Sequence, residues 1–166
     1  TVTVTTRLRR PSERDGIDYY FVSVQDFQTM LEAAELLEYA EVYGYMYGVP
    51  KTQVVDALKS GKDVLVKTDV QGAITIRKRI PNTVAIFLAA PSQEELTYRL
   101  GGRMTESVES LELRLETARN ENEMAADFDY VVVNNTGRLN EAVSEIEMIV
   151  DRERNRMSAC GNVSNY

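Results

Sequence analysis

The chain has 166 residues, 43% hydrophobic and 27% charged, with a formal net charge of -7 and no histidine. That length buries one sizeable core, and the negative balance argues against nucleic acid or an anionic membrane as partner, so a basic cluster acts locally, on a small anionic ligand. Without histidine and with the single cysteine Cys160, Ser-His and Cys-His nucleophile pairs, the commonest zinc sites and an internal disulfide cannot be built; no apolar run approaches the roughly 20 residues that span a bilayer, and a reducing, cytoplasmic setting is expected.

The opening TVTVT alternates β-branched residues and predicts a strand, not a signal peptide. Its abrupt start carries the expectation that upstream residues are missing. Helical spacing covers Val24 to Ala34 with Ser23 as N-cap. LLEYAEVYG reads as a strand, and Tyr45 to Gly48 as its returning partner in a hairpin. TQVVDALKSG has helix periodicity and stops at Gly61. DVLVKTDV is a buried-strand candidate, GAITIRKRI a short helix ending at Pro81, and TVAIFLAA a second apolar strand. SQEELTYRL opens with a capping pattern, Ser92 followed by Glu95, before Gly101 and Gly102 break the helix. A long charged helix is expected from Thr105 to Ala126, then DYVVVN as a strand, LNEAVSEIEMIVDRER as an amphipathic helix and MSACGNVSNY as a frayed polar tail. Strands alternating with helices indicate an α/β fold with a parallel core sheet covered on both faces.

Four constellations can carry chemistry. The first is TTRLRRPSERDGIDYYFV, where Arg7 and Arg10 follow a strand and Tyr19 adds a neutral donor. Guanidinium groups so placed grip phosphate oxygens bidentately; equally, they can pair with Glu13, Asp15 and Asp18 in a solvated loop. The second is Glu38 on an apolar strand, with Tyr47 and Gly48 on its hairpin partner. A half-buried carboxylate accepts two hydrogen bonds from an N–H/NH2 edge such as guanine offers, or it is an edge-strand charge facing water. The third is TDVQG, where Asp69 lies at the end of a predicted parallel strand and is either a ligand contact or a helix N-cap. The fourth is Arg99, Arg103 and Arg114 around the Gly-Gly break: a flap closing over a transferring phosphoryl group, or solvated helix charges.

The opening stretch joins these fragments. Thr5, Thr6, Arg7, Arg10, Glu13, Gly16, Tyr19, Phe21 and Val22 fill every fixed position of the guanylate kinase signature, and EYAEVYGYMYG, GKDVLVKTDVQGA, FLAAPSQEEL, GRMTES, LRLETA and DYVVVN follow in family order. The sequence therefore resembles the guanylate kinase family from residue 1 to about residue 154. The resemblance implies a P-loop-kinase-like three-layer α/β fold in a single domain over residues 1–166. Its core would take 1–6, 62–92 and 121–155, a small mixed β GMP-binding lobe 7–61, a helical lid 93–120, and a frayed tail 156–166.

It further implies that Arg7, Arg10, Tyr19 and Tyr47 hold the phosphate of GMP, and that Glu38, Asp69 and the Thr3 hydroxyl read the guanine. Arg99, Arg103 and Arg114 would contact the phosphates during transfer, with Asn134 on the ATP side. ATP is the implied co-substrate, with Mg2+. The departures are a missing P-loop, since G-x-x-x-x-G-K-S/T occurs nowhere in the chain, Val49 where the family usually has Ser or Thr, and Lys67 where an acidic residue is usual near magnesium. The expected function is ATP-dependent phosphorylation of GMP to GDP, with the bare chain inactive for want of the loop that cradles ATP. The alternative is a catalytically inactive relative that binds GMP or a phosphorylated peptide.

Overall fold

The computed structural model describes residues 1–101 and 108–159. They form two compact units, one spanning Thr1–Thr83 and the other beginning at Val84.

The first unit is built on a mixed sheet of four strands, β1 (Val4–Thr5), β2 (Tyr20–Phe21), β3 (Leu36–Val42) and β4 (Tyr45–Pro50), in the order β2-β1-β4-β3. β1 runs parallel to β2 and antiparallel to β4, and β3 and β4 make the expected hairpin. Between β2 and β3, helix α1 (Val24–Glu32) starts where the sequence placed it. The Ser23 hydroxyl accepts from the Asp26 N–H while the Asp26 carboxylate accepts from the Ser23 N–H, so two otherwise orphaned donors of the first turn are satisfied reciprocally. α1 buries Phe27 against Val4 of β1 and Leu36 of β3.

Helix α2 (Lys51–Lys59) follows β4 directly and ends before Gly61, which takes a φ of +71°, the left-handed conformation that closes helices. Helix α3 (Val70–Arg79) starts behind Asp69. Val54 of α2 and Ile76 of α3 pack on Val49 of β4, with Val64 and Val66 filling the gap.

The segment expected as a buried strand, DVLVKTDV, differs. Its last residue already belongs to α3, and the stretch before it joins neither sheet. Val64 and Val66 pack into the core and Leu65 is exposed. Burial follows the strand pattern, but a strand is defined by its ladder. Here the Leu65 carbonyl accepts from the Thr1 backbone nitrogen at 2.9 Å, with no ladder around it.

In the second unit β5 (Ile86–Ala89) and β6 (Tyr130–Val133) pair in parallel, in register from Ile86–Tyr130 to Ala89–Val133. Between them lie α4 (Gln93–Gly101), whose Glu95 N–H bonds the Ser92 hydroxyl as the capping pattern requires, α5 (Val108–Glu123) and a 3-10 turn (Met124–Asp127). Helix α6 (Leu139–Ala159) covers β6 through Ala142 and Ile149 packed on Val132. It runs past Met157, where the tail was expected to begin. Glu153, buried on α6, accepts from the Tyr130 hydroxyl at 2.6 Å, which ties the helix to the sheet, and pairs with Arg156 one turn on at 2.6 Å. Among the described residues no helix is long and apolar enough to cross a membrane.

Candidate functional site

The arginine-rich loop leaves β1 at a fixed angle. The buried Thr5 hydroxyl donates to the Met46 carbonyl at 3.0 Å and accepts from the Arg7 N–H at 3.1 Å, while the Thr6 hydroxyl accepts from the Met46 N–H at 2.9 Å. Two hydroxyls on consecutive residues thus aim the chain before the first arginine. The loop then folds around Glu13. One carboxylate oxygen takes the Arg7 guanidinium at 2.7 Å, the other takes the Arg10 backbone N–H at 2.8 Å, and the Glu13 carbonyl accepts from Arg9 at 2.7 Å. The Arg10 guanidinium approaches the same carboxylate at 3.6 Å and is 42% exposed.

Arg7 and Glu13, with side chains 12% and 13% exposed, are largely withdrawn from water as a pair. The bond to Arg7 holds Glu13 below the usual carboxylate range, and the same bond, followed in strength by one to the Tyr47 hydroxyl, raises Arg7 further. The expected pairing of arginines with acids is therefore real for Glu13. Asp15 and Asp18 act otherwise: they accept from the backbone N–H groups of Phe21 and Arg14 and brace the turn.

Aromatic rings pack behind the guanidinium. The Arg7 guanidinium carbon lies 5.4 Å from the Tyr19 ring centre, and Tyr47 meets Tyr19 edge-on at 6.1 Å. Arg7 meets both Tyr19 and Tyr47, and Arg10 joins this group through Glu13, which it shares with Arg7. Cationic and phenolic donors around one point suit the oxygens of a phosphate ester.

Two positions further along β4, Val49 pairs with Glu38 of β3. A register shift between Leu36 and Glu38 lets Leu36 join the Phe27 core while Glu38 turns to the other side, the usual consequence of a bulge. Glu38 is 3% exposed and its pKa is raised to about 7, first by burial and then by the charge of Asp69; a Thr68 hydroxyl bond and Arg79 work against the rise. The water-facing reading of Glu38 is thereby excluded. Asp69 caps α3, its carboxylate accepting from the Gly72 N–H at 2.7 Å, so the N-cap reading of TDVQG holds and the same residue stands beside Glu38. Arg79 of α3 donates to the Leu37 carbonyl, tying the helix to β3. Thr3 is buried beside β1, its carbonyl accepting from the Tyr20 N–H at 2.9 Å. Val49 is 1% exposed and belongs to the apolar core.

Gly72 was not singled out by the sequence. A Cβ there would sit 2.0 Å from the Thr68 hydroxyl oxygen and 2.8 Å from a Glu38 carboxylate oxygen, so the helix start can approach Glu38 only with a hydrogen in that place. Chemically, a carboxylate held out of water, as Glu38 is, accepts adjacent N–H donors strongly and leaves a mismatched edge unsatisfied.

In the second unit Arg99 is held by three groups. It donates to Glu95 at 2.8 Å, to the Asn134 carbonyl at 3.0 Å and to the Thr136 hydroxyl at 3.1 Å, and the Thr136 hydroxyl donates to Glu95 in turn. Glu95 is lowered by the Thr136 bond first and by Arg99 second. The structure thus brings Arg99 and Asn134 together. Arg103 lies outside the described residues, and Arg114 falls on α5 with its side chain outside the description. Among the described residues no three His, Cys, Asp or Glu side chains are grouped to hold a metal ion.

The family profile described as Guanylate kinase matches residues 1–153. A protein named guanylate kinase 2, chloroplastic/mitochondrial, from Oryza sativa subsp. japonica is 47% identical over 154 residues, 92% of this chain but 54% of its own length. The chain therefore spans about half of that relative. A guanylate kinase of Desulfitobacterium hafniense is 43% identical over 157 residues, covering 95% of this chain and 78% of its own. Among solved structures, a guanylate kinase from Anaplasma phagocytophilum superposes with a TM-score of 0.79 at 35% identity, over 92% of this chain and 73% of that one.

Proposed function

The chain belongs to the guanylate kinase family, and from that membership we propose that it supplies the GMP site and lid of an enzyme that moves the γ-phosphoryl group of ATP to GMP, giving ADP and GDP. The observation that carries the proposal is the adjacency of two unlike pockets on one strand. Tyr47, in the phosphate clamp, and Val49, opposite the buried Glu38, are two residues apart on β4, about 7 Å along a strand. A nucleotide lying across that stretch presents its phosphate to Arg7, Arg10, Tyr19 and Tyr47 and its base edge to Glu38. Guanine offers N1–H and the exocyclic amine to that carboxylate, with Asp69 beside it and Thr3 nearby in sequence to β1; adenine offers a lone pair at N1 and is rejected.

On the donor side Arg99, Arg103 and Arg114 offset charge on the transferring group, and Asn134 serves the ATP end. Their part is positioning and neutralisation, with no covalent intermediate. Mg2+ enters as the counter-ion of ATP, as part of that substrate. Calorimetric titration of GMP, guanosine and AMP, with ADP release measured in parallel, tests the proposal. GMP bound at least about tenfold more tightly than either competitor supports it, on the worth of one charge-assisted hydrogen bond. Equal affinity for all three would remove it. The second reading is a binding module that holds GMP without turnover; it shares the GMP site, and ADP release by this chain would exclude it.

A further inference from the structure

We propose that Lys67 is a further phosphate-binding residue of the acceptor site, its ammonium supplying the second net positive charge that a phosphate monoester dianion calls for. The proposal rests on the GMP-site reading above and adds a residue to it.

Placement comes from alternation. Val64 and Val66 pack into the core with Val49 and Val54, while Leu65 and Lys67 alternate with them and are exposed. There the Lys67 ammonium donates to the Tyr19 hydroxyl at 3.3 Å and lies 5.0 Å from the Tyr19 ring centre. Tyr19 is the ring that Arg7 approaches at 5.4 Å and Tyr47 meets edge-on. Lys67 is thus gathered into the clamp from a segment 48 residues away.

Charge decides what it does there. Arg7 and Arg10 both face Glu13, at 2.7 and 3.6 Å, so the loop contributes one net positive charge. A phosphate monoester carries about -1.5 to -2 near pH 7. Among the described residues Lys67 bonds the Tyr19 hydroxyl and pairs with no carboxylate, which leaves its charge and two of its three N–H donors for another acceptor. The clamp with Lys67 matches the dianion; without it the clamp falls one charge short. The neighbouring residues fix the segment: Thr68 bonds Glu38 and Asp69 caps α3. One run of three residues thereby serves both ends of the nucleotide. An ammonium here also repels a divalent cation, so this position serves the anion directly.

The test is calorimetric titration of GMP and guanosine against the protein and its Lys67→Met, Lys67→Arg and Arg7→Ala variants, with the phosphorus resonance of bound GMP followed against pH. Lys67→Met is expected to weaken GMP roughly tenfold and leave guanosine within about twofold, with Lys67→Arg restoring most of the loss, on the usual worth of a charged hydrogen bond. The phosphate of bound GMP should also ionise at higher pH in Lys67→Met than in the unmodified protein, because a cation has been removed from beside it. Unchanged GMP affinity in Lys67→Met alongside a tenfold loss in Arg7→Ala, on the same scale, overturns the Lys67 assignment and leaves the GMP site standing. Equal losses for GMP and guanosine overturn it too, by showing a packing role through Tyr19. GMP and guanosine binding alike to the unmodified protein overturns the site reading and this proposal with it.

Discussion

Glu13 and Glu38 lie in the same unit, both shielded from water, yet they hold their charge in opposite ways. Glu13 takes a guanidinium and a backbone N–H, and its pKa falls. Glu38 has burial and the negative charge of Asp69 around it, and its pKa rises to about 7. The Arg7–Glu13 pair thus satisfies its own charges, while the Glu38 carboxylate stands in surroundings that disfavour its charged form. A satisfied pair holds geometry; a carboxylate whose charged form burial disfavours is what a ligand with two N–H donors completes. The pH dependences are opposite in sign. The folded pKa of Glu13 is depressed, so its stabilisation is present above the unfolded value near 4.5 and is lost as pH falls through the folded pKa. That of Glu38 is raised, so its contribution is fully present below about 4.5 and is lost as pH rises toward and through 7.

The largest expected effect attacks the Glu38 half of that contrast. Glu38→Gln removes the cost of ionising a buried carboxylate, so thermal stability at pH 8.5 should increase by at most roughly 3 kcal/mol while stability at pH 4 stays put. GMP affinity should fall in the same variant. A melting series across pH checks it; an equal change at both pH values would mean that Glu38 is not a strained acid.

The Glu13 half is attacked through its partner. Arg7→Ala should weaken GMP by about 1.5–3 kcal/mol, tenfold or more, with guanosine unaffected. Glu13 should then titrate at higher pH, since its main counter-charge is gone, and carbon NMR of the glutamate carboxyls reads that shift. Gly72→Ala bears on why the base pocket can exist at all. Its Cβ would overlap the Thr68 hydroxyl, and overpacking of this kind costs about 1–3 kcal/mol of stability. Adding Thr68→Ala should return part of that cost, because the nearest colliding atom is removed; identical melting points for the single and double variants would place the clash elsewhere. The smallest effect belongs to Arg10→Ala. Its ion pair is long and exposed, so unfolding free energy should change by no more than about 0.5 kcal/mol, even as GMP affinity drops.

Much of this was legible in the sequence. Ser23 and Asp26 announce α1 because capping is a local matter of two side chains. The apolar run around Glu38 announces β3, and Arg7, Tyr19 and Tyr47 are brought into contact. What stayed hidden depends on partners distant in sequence. The run before α3 has strand composition but no ladder, because pairing is decided by neighbours and not by propensity. Glu38 read as evenly poised between pocket and water, since α3 and Asp69 had yet to be brought against it. Lys67 read only as a departure from the acidic residue that the family resemblance implies, because its contact with Tyr19 reaches 48 residues back in the sequence. Gly72 gave no signal, because the need for a missing Cβ arises only when Thr68 and Glu38 both converge on it.

The most direct measurement is the number of protons released when GMP binds near pH 7, obtained from calorimetry in buffers of different ionisation enthalpy, for the unmodified protein and for Glu38→Gln. Two guanine N–H donors favour the ionised carboxylate, so binding should lower the Glu38 pKa from about 7 and expel about half a proton per GMP, with affinity rising up to pH 8 and then levelling. The release should be smaller by that amount in Glu38→Gln, which retains only what the phosphate contributes. Equal proton release from the two proteins would show that GMP does not engage Glu38 and would contradict the assignment of this carboxylate as the reader of the base.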